Sequence, residues 1–281
     1  MKNIPIRHIP GTKQEPGIED SFIIRDSKEL LAGKDMVQEL HRHDFYFVLV
    51  LKKAKGKHVI DFQSYKVKGH TVFCMRPGQV HELLLKAGST GYLLQFKKAF
   101  LSSDEHSLRK ATNPNFYQLD TRSFKKIAIL LESVLQEYKH KQEGYHEVIK
   151  ANLKVLFIEL NRQQSHAASN NTDQYTQERL DAFVSLVEKN ITTHKQPSQY
   201  ANLLHLSLHQ LNTVTKTMLG KTASAFINEH IVLESKRWLL ATAAQVKEIA
   251  DQLGYEDPSY FIRFFKKHTG YSPDTFRQNF K

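Results

Sequence analysis

The sequence predicts an α+β protein of two domains, a strand-rich N-terminal half followed by an all-helical C-terminal half. Three observations carry this. A chain of 281 residues is long enough for two cores. Up to about residue 100, short aromatic and β-branched runs alternate with turns rich in Gly, Pro and Lys. After residue 120 the apolar residues recur instead at steps of three and four.

The strands come first. Phe45 to Leu51 is the longest uninterrupted apolar run, and its seven residues fall short of the roughly 20 that a membrane-spanning helix needs. A Lys-rich turn with Gly56 leads to a second strand, His58 to Phe62. Thr71 to Met75 is a third, closed by Arg76-Pro77-Gly78, and Tyr92 to Phe96 follows Gly91. Several short strands separated by Gly and Pro predict an antiparallel sandwich or small barrel over residues 1–120.

Two amphipathic helices follow, at 121–139 and 144–161, hinged near Gly144. Their apolar stripes run through Phe124, Ile127, Leu131, Val134 and Tyr138, then through Tyr145, Ile149, Leu153, Leu156 and Leu160. Such stripes either cover the barrel or pair two chains, and periodicity does not choose between them. Residues 121–161 are read as a helical dimerisation segment of a homodimer, because two-fold pairing is the commonest solution for a self-complementary patch. Asn161 to Thr172 lacks large apolar residues, so 162–175 reads as a linker. From residue 176 to 281 the chain reads as helices only.

Two segments of that last part share one plan. In the second, Val246, Ile249, Ala250 and Leu253 mark a short helix ended by Gly254. Asp257 then serves as an N-cap with Pro258 at the first helical position. The helix after it carries Phe261, Phe264, Phe265 and His268 on one side and Ser259, Arg263 and Lys266 on the other. In the first segment, Tyr200, Leu203 and Leu204 precede a Ser207-x-x-Gln210 capping box. Leu211, Val214 and Met218 form the apolar back of the next helix, and His209, Thr213 and Lys216 its front. A short helix, a tight turn and a second helix with a hydrogen-bonding front describe a helix-turn-helix. A helix from about Ala223 to Thr242 joins the two units.

Charge adds little to the nucleic-acid reading. The net charge is +11, but residues 1–172 hold 27 Lys and Arg against 18 acids, while residues 173–281 hold 13 against 11. The helices, not the basicity, carry the argument. There is no basic low-complexity tail of the kind an architectural DNA binder uses. Cys74 is the only cysteine, so no intrachain disulfide forms, and it reads as a small buried residue. Residues 1–11 show no apolar signal core, and the expected location is the cytoplasm, with no membrane partner.

Lys247 to Tyr255, Asp257 to Pro273 and the closing Phe276-Arg277 closely resemble the signature of the AraC/XylS family of transcription regulators. The resemblance covers roughly residues 177–281. It implies seven helices, two of them recognition helices in adjacent major-groove segments, and double-stranded DNA as partner, with RNA polymerase as a further candidate. It also implies base contacts from His209, Asn212, Thr213, Ser259, Tyr260 and Arg263, and phosphate contacts from Lys216, Lys266 and Lys267. Thr213 departs from the family, standing where many relatives carry a base-contacting Arg. Arg263 can donate two hydrogen bonds to guanine, whereas Lys side chains position without reading.

His41-Arg42-His43 and Pro77-Gly78-Gln79-Val80-His81 resemble the two motifs of cupin barrels. The resemblance implies a small-molecule effector, of unidentified chemistry, in a pocket of His41, His43, Phe45, Phe47, Phe73 and His81. Metal-dependent cupins add a Glu, whose place here falls near Phe47 or Val48. Three His alone can hold zinc with an open fourth position. With the carboxylate missing, the expectation is that these His are satisfied by local hydrogen bonds, with no metal and no cofactor. The alternative is a metal-dependent cupin enzyme with an appended DNA-binding domain, which predicts bound metal and turnover; the reading adopted is a non-enzyme.

Overall fold

The computed structural model describes residues 6–7, 21–167 and 174–280. The chain divides into two compact units, Pro5–Ser169 and Asn170–Lys281.

The first unit opens with strands β1 (Ile6–Arg7) and β2 (Phe22–Asp26) and the short helix α1 (Ser27–Leu31). Seven strands then follow: β3 (Met36–His43), β4 (Tyr46–Lys53), β5 (Gly56–Ile60), β6 (Gln63–Val67), β7 (Thr71–Met75), β8 (Val80–Leu85) and β9 (Thr90–Phe96). After α2 (Glu105–Thr112) comes β10 (Phe116–Gln118), and α3 (Thr121–His140) and α4 (Tyr145–Ala167) close the unit. The strands form two five-stranded sheets, ordered β1-β3-β8-β5-β6 and β10-β7-β4-β9-β2. All pairings are antiparallel except β1 with β3. This is the antiparallel sheet domain that the sequence predicts.

The apolar run of β4 is continuous because both of its faces are buried. Phe45, Phe47, Leu49 and Leu51 enter one core together with Phe73, Met75, Leu83 and Leu85. Tyr46, Val48 and Val50 enter a second, with Val72, Cys74 and Leu94. The second core is completed by helices: Phe124, Ile127, Leu131 and Val134 of α3 and Ile149, Leu153, Leu156 and Leu160 of α4. The stripe read as an interface between chains is therefore spent inside one chain, covering the sheet. Cys74 lies in this core, and burial pushes its thiol pKa up to about 12.

Several local expectations shift. His41 and His43 stand just before the apolar strand β4 and are themselves the end of a strand, β3. Asp61 and Phe62 are not strand residues, but a two-residue hairpin turn joining β5 to β6, both with positive φ. Helix α4 runs on to Ala167, so residues 162–167 are helical rather than linker. Of the rest of that linker, residues 168–173 lie outside the described residues and 174–175 open the next helix.

The second unit contains α5 (Gln174–Asn190), α6 (Pro197–Leu203), α7 (Leu208–Leu219), α8 (Ala223–Ala241), α9 (Val246–Gln252), α10 (Pro258–Thr269) and α11 (Pro273–Phe280). Helix α8 packs against all six of the others, burying Ile227, Ile231 and Leu239. At 1.5 Å per residue it is about 28 Å long, and it is the common scaffold for the helix pairs on either side.

Candidate nucleic-acid interface and histidine cluster

The pair α6–α7 turns through His205, in the left-handed region at φ 53°, into the cap at Ser207. The capping box is formed: Gln210 N–H donates to Ser207 Oγ at 3.1 Å, and Ser207 N–H donates to Gln210 Oε1 at 2.8 Å. Leu211 and Val214 face inward, Met218 is half-buried, and Leu203 is exposed, so the apolar back is narrower than its periodicity suggests. His209, Thr213 and Lys216 are exposed along the front of α7. The Thr213 hydroxyl donates back to the His209 carbonyl at 3.0 Å. Asn212 is different. It is half-buried, and its Oδ1 accepts from the Ala223 N–H at 3.1 Å, which ties α7 to the first turn of α8.

The pair α9–α10 follows the same plan. Gln245 N–H donates to Glu248 Oε2 at 2.7 Å at the start of α9. Asp257 caps α10 by accepting from Ser259 N–H at 2.8 Å. Phe261 and Phe265 are fully buried. Phe264 is only half-buried and His268 is exposed; their rings lie 4.6 Å apart on a cleft, not in the core. Ser259, Tyr260, Arg263, Lys266 and Lys267 are all exposed. The Arg263 guanidinium lies 3.7 Å from Asp257, both side chains mostly in solvent, so the contact holds it only loosely.

Three contacts of this unit carry no sequence signal, although two of the residues that make them do. Gly254, at φ +73°, sits against the Thr192 carbonyl, and a Cβ there would come within 1.8 Å of that oxygen. The Lys195 ammonium donates to the carbonyls of Thr192 at 2.9 Å and Gly254 at 2.7 Å, joining the segment before α6 to the turn between α9 and α10. Arg277 donates from Nε to the Leu239 carbonyl at 2.9 Å and from Nη2 to that of Ala244 at 2.6 Å, fastening α11 to the end of α8. The second helix pair is thus braced to the first. Between α10, the N-terminal half of α8 and the segment before α6 lies a cleft of about 370 Å³, whose lining includes Lys195, Tyr260, Arg263, Lys267 and His268 and no carboxylate.

In the N-terminal unit, β3, β5 and β8 bring four His together. His41 pairs across from His81 in the β3–β8 ladder, and His58 comes from β5 on the other side of β8. The sequence reading named three of the four; His58 belongs to neither motif, and only strand order places it here. His43 Nε2 lies 2.8 Å from His81 Nε2, and His41 Nε2 lies 3.0 Å from the same atom. His58 Nε2 lies 2.8 Å from His81 Nδ1, and His41 Nδ1 lies 2.7 Å from the Glu39 carbonyl oxygen. Burial, before any other cause, lowers all four from the usual histidine value, His41 to about 4, His43 and His58 to about 3, and His81 well below. All four are neutral at neutral pH.

The three Phe of the expected effector pocket are buried among these rings. Phe45 lies 4.3 Å from His43, Phe47 stacks on His43 at 5.5 Å, and Phe73 meets His58 at 4.7 Å between centroids. Val48 points into the other core. No carboxylate joins the cluster among the described residues.

Residues 200–279 match the family described as "Helix-turn-helix domain". The chain is a DNA-binding regulator with a helix-turn-helix domain at its C-terminal end. The HTH-type transcriptional activator RhaS of Escherichia fergusonii is 23% identical to this regulator over 245 residues, covering 85% of this chain and 87% of RhaS. YfiF of Bacillus subtilis, described as an uncharacterized HTH-type transcriptional regulator, is 21% identical over 253 residues, 86% of this chain and 79% of its own. Among solved structures, ToxT from Vibrio cholerae aligns over 92% of the regulator and 97% of itself, at 15% identity and a TM-score of 0.43. No helix among the described residues is long and apolar enough to cross a membrane.

Proposed function

We propose that the regulator reads DNA with α7 and α10, each lying in a major-groove segment, and that α10 supplies most of the base discrimination. The observation that carries this is the exposed front of α10, where Ser259, Tyr260 and Arg263 stand opposite the buried Phe261 and Phe265. A bidentate Arg–guanine contact is worth about 1–3 kcal/mol of discrimination. On α7 the readers are His209 and Thr213, with short or single contacts. Asn212 offers a base its amide N–H₂, while its oxygen accepts from the Ala223 N–H. Lys216, Lys266 and Lys267 take phosphates, which fix register without reading sequence. The acid-free cleft beside α10 suits a DNA phosphate backbone next to the groove that α10 reads. Binding titrations against a randomised site library test this reading. Enrichment of a motif with two half-elements about one helical turn apart supports it; a single short element, or none, removes one or both helices from the base-reading set.

Three further readings accompany it. The regulator acts as a homodimer, with RNA polymerase as a partner on DNA. The interior of the N-terminal sheet domain, around His41, His43, Phe45, Phe47, Phe73 and His81, is the sensing site for an effector. The protein works in the cytoplasm and turns over no substrate; its relatives' descriptions as transcriptional regulators favour this over the cupin-enzyme alternative.

A further inference from the structure

The positive charge of the N-terminal half is concentrated in one place. Residues 51–70 hold six Lys and a single acid, Asp61. The fold sends the two signs to opposite ends of one hairpin. Asp61 sits in the β5–β6 turn, where its carboxylate accepts from Gln79 Nε2 at 2.6 Å and from the Val80 N–H at 3.3 Å. The lysines gather at the other end. There β4 finishes on Lys52 and Lys53, Lys55 stands in the turn, and β5 opens with Gly56 and Lys57. Lys66 of β6 is the direct cross-strand partner of Lys57, and Lys68 follows it. The next residue packs back onto β4: a Cβ at Gly69 would come within 2.8 Å of the Lys52 carbonyl oxygen. Lys86, just past β8, donates its backbone N–H to the Lys55 carbonyl at 2.9 Å. Each of these lysines is exposed. Glu82 lies 3.5 Å from Lys57, and Asp35 lies 2.8 Å from Lys86. Lys52, Lys53, Lys55, Lys66 and Lys68 have no ion pair among the described residues. A surface needed only for solubility would intersperse the two signs. This one groups five unpaired cations and sets two lysines directly opposite each other, which destabilises a ladder.

We propose that this lysine end of the N-terminal unit binds the phosphate backbone of duplex DNA flanking the elements that α7 and α10 read. The inference rests on that DNA reading for the place of contact, and on the lysines alone for the contact itself. Lys is a compact point charge that takes a phosphate without reading sequence. The apolar residues interleaved with these lysines, Ala54, Val67 and Leu85, are buried. The surface therefore offers no ring on which an unpaired base could stack, and no apolar wedge to enter a bilayer. Intact duplex backbone is the polyanion it fits. The charge balance of the chain gives the contact a purpose. Residues 173–281 hold 13 Lys and Arg against 11 acids, so the unit that reads bases brings little long-range attraction of its own. The lysine end supplies it. Both units belong to one chain, so DNA held by the C-terminal unit is presented to the N-terminal unit at raised effective concentration, and contacts too weak to act alone then count. Each phosphate neutralised should steepen the fall of log affinity with log salt by about 0.9.

The test uses the full chain and a variant carrying Lys52→Gln, Lys53→Gln, Lys66→Gln and Lys68→Gln. Three duplexes are titrated over a range of salt: the minimal selected site, the same site extended by about two helical turns on each side, and an unrelated sequence of the extended length. All four side chains are exposed, so the melting temperature should hold. The two proteins should bind the minimal site alike. On both extended duplexes the variant should bind about tenfold more weakly, with a salt slope shallower by about two or more. Arg at the same four positions should restore wild-type binding. The wild type alone should show a steeper salt slope on the extended site than on the minimal one, a comparison that needs no substituted chain. Equal slopes there, an unchanged variant on the extended duplexes, or an equal loss on the minimal site would each overturn the flanking contact. So would lysine-dependent pelleting with phosphatidylserine vesicles alongside unchanged duplex binding, which assigns the surface to a membrane. Failure of the base-reading proposal looks different: the wild type would not distinguish the selected from the unrelated duplex, while the lysine dependence on the unrelated duplex would remain.

Discussion

Arg263 and Asn212 stand on the two helices proposed to read DNA, and face opposite demands. Arg263 projects from α10 with 68% of its side chain exposed, held only by a long contact to Asp257. Replacing it with Ala removes little from the fold and should cost about 1–3 kcal/mol of specific binding, with relaxed preference at about one base pair. Unchanged affinity and unchanged preference in a titration would take it out of the reading set. Asn212 is bound to the fold through Oδ1, and its amide nitrogen is its donor for a base. Asn212→Asp keeps the acceptor for Ala223 N–H and removes the donor. We expect the melting temperature to hold and the base preference opposite α7 to shift; an intact preference would make Asn212 a brace only. The difference between the two residues was not legible in the sequence. Rotation at 100° per residue places both near a polar front, but the partner of Asn212 comes from the next helix, eleven residues on. His58 was illegible for a similar reason. It belongs to no short motif, and it reaches the cluster because β5 happens to flank β8.

At the scale of elements, caps and glycines were legible and braces were not. Ser207 with Gln210, Asp257 before Pro258, and Gly254 after α9 each stand where local chemistry demands them. The β4 and β7 runs were legible because both faces of each are buried, while β3 and β6 were missed because their mixed composition resembles a loop. Two substitutions test how the helix pairs are held. Gly254→Ala combines a positive φ with a Cβ driven onto the Thr192 carbonyl, so it should destabilise by about 2 kcal/mol or more and weaken DNA binding with it. Lys195→Met removes the hydrogen bonds to the carbonyls of Thr192 and Gly254, together with the ammonium's contact with the Tyr255 ring. A loss of about 1 kcal/mol in chemical denaturation is expected. If stability is unchanged and the salt dependence of DNA binding falls by about one ion instead, Lys195 is a phosphate contact and not a brace.

At the scale of the whole molecule, the proposed homodimer needs a surface that pairs two chains. The apolar stripe of α3 and α4 was legible as a stripe, but its destination was not, because periodicity is the same whether a face meets a sheet or a partner. Leu131, Val134, Leu153 and Leu156 are fully buried against the sheet. A dimer through these helices must therefore use what they leave outside, where Ile129 is 62% exposed and Val155 44%. This separates two kinds of variant. Leu131→Ala empties part of the core and should cost about 2–5 kcal/mol of stability. Ile129→Glu and Val155→Glu change side chains that are exposed, and each should leave the melting transition of the monomer nearly unchanged. If the homodimer forms on this outer face, the double substitution should convert the full chain to monomer in sedimentation at micromolar concentration. It should also weaken binding to a two-site operator far more than to a single site, because tethering raises the effective concentration of the second DNA-binding domain. A double variant that still sediments as a dimer places the interface elsewhere. A wild type that sediments as a monomer, with equal affinity per site on one- and two-site DNA, would remove the homodimer from the account and leave each regulator to bind through its own two recognition helices.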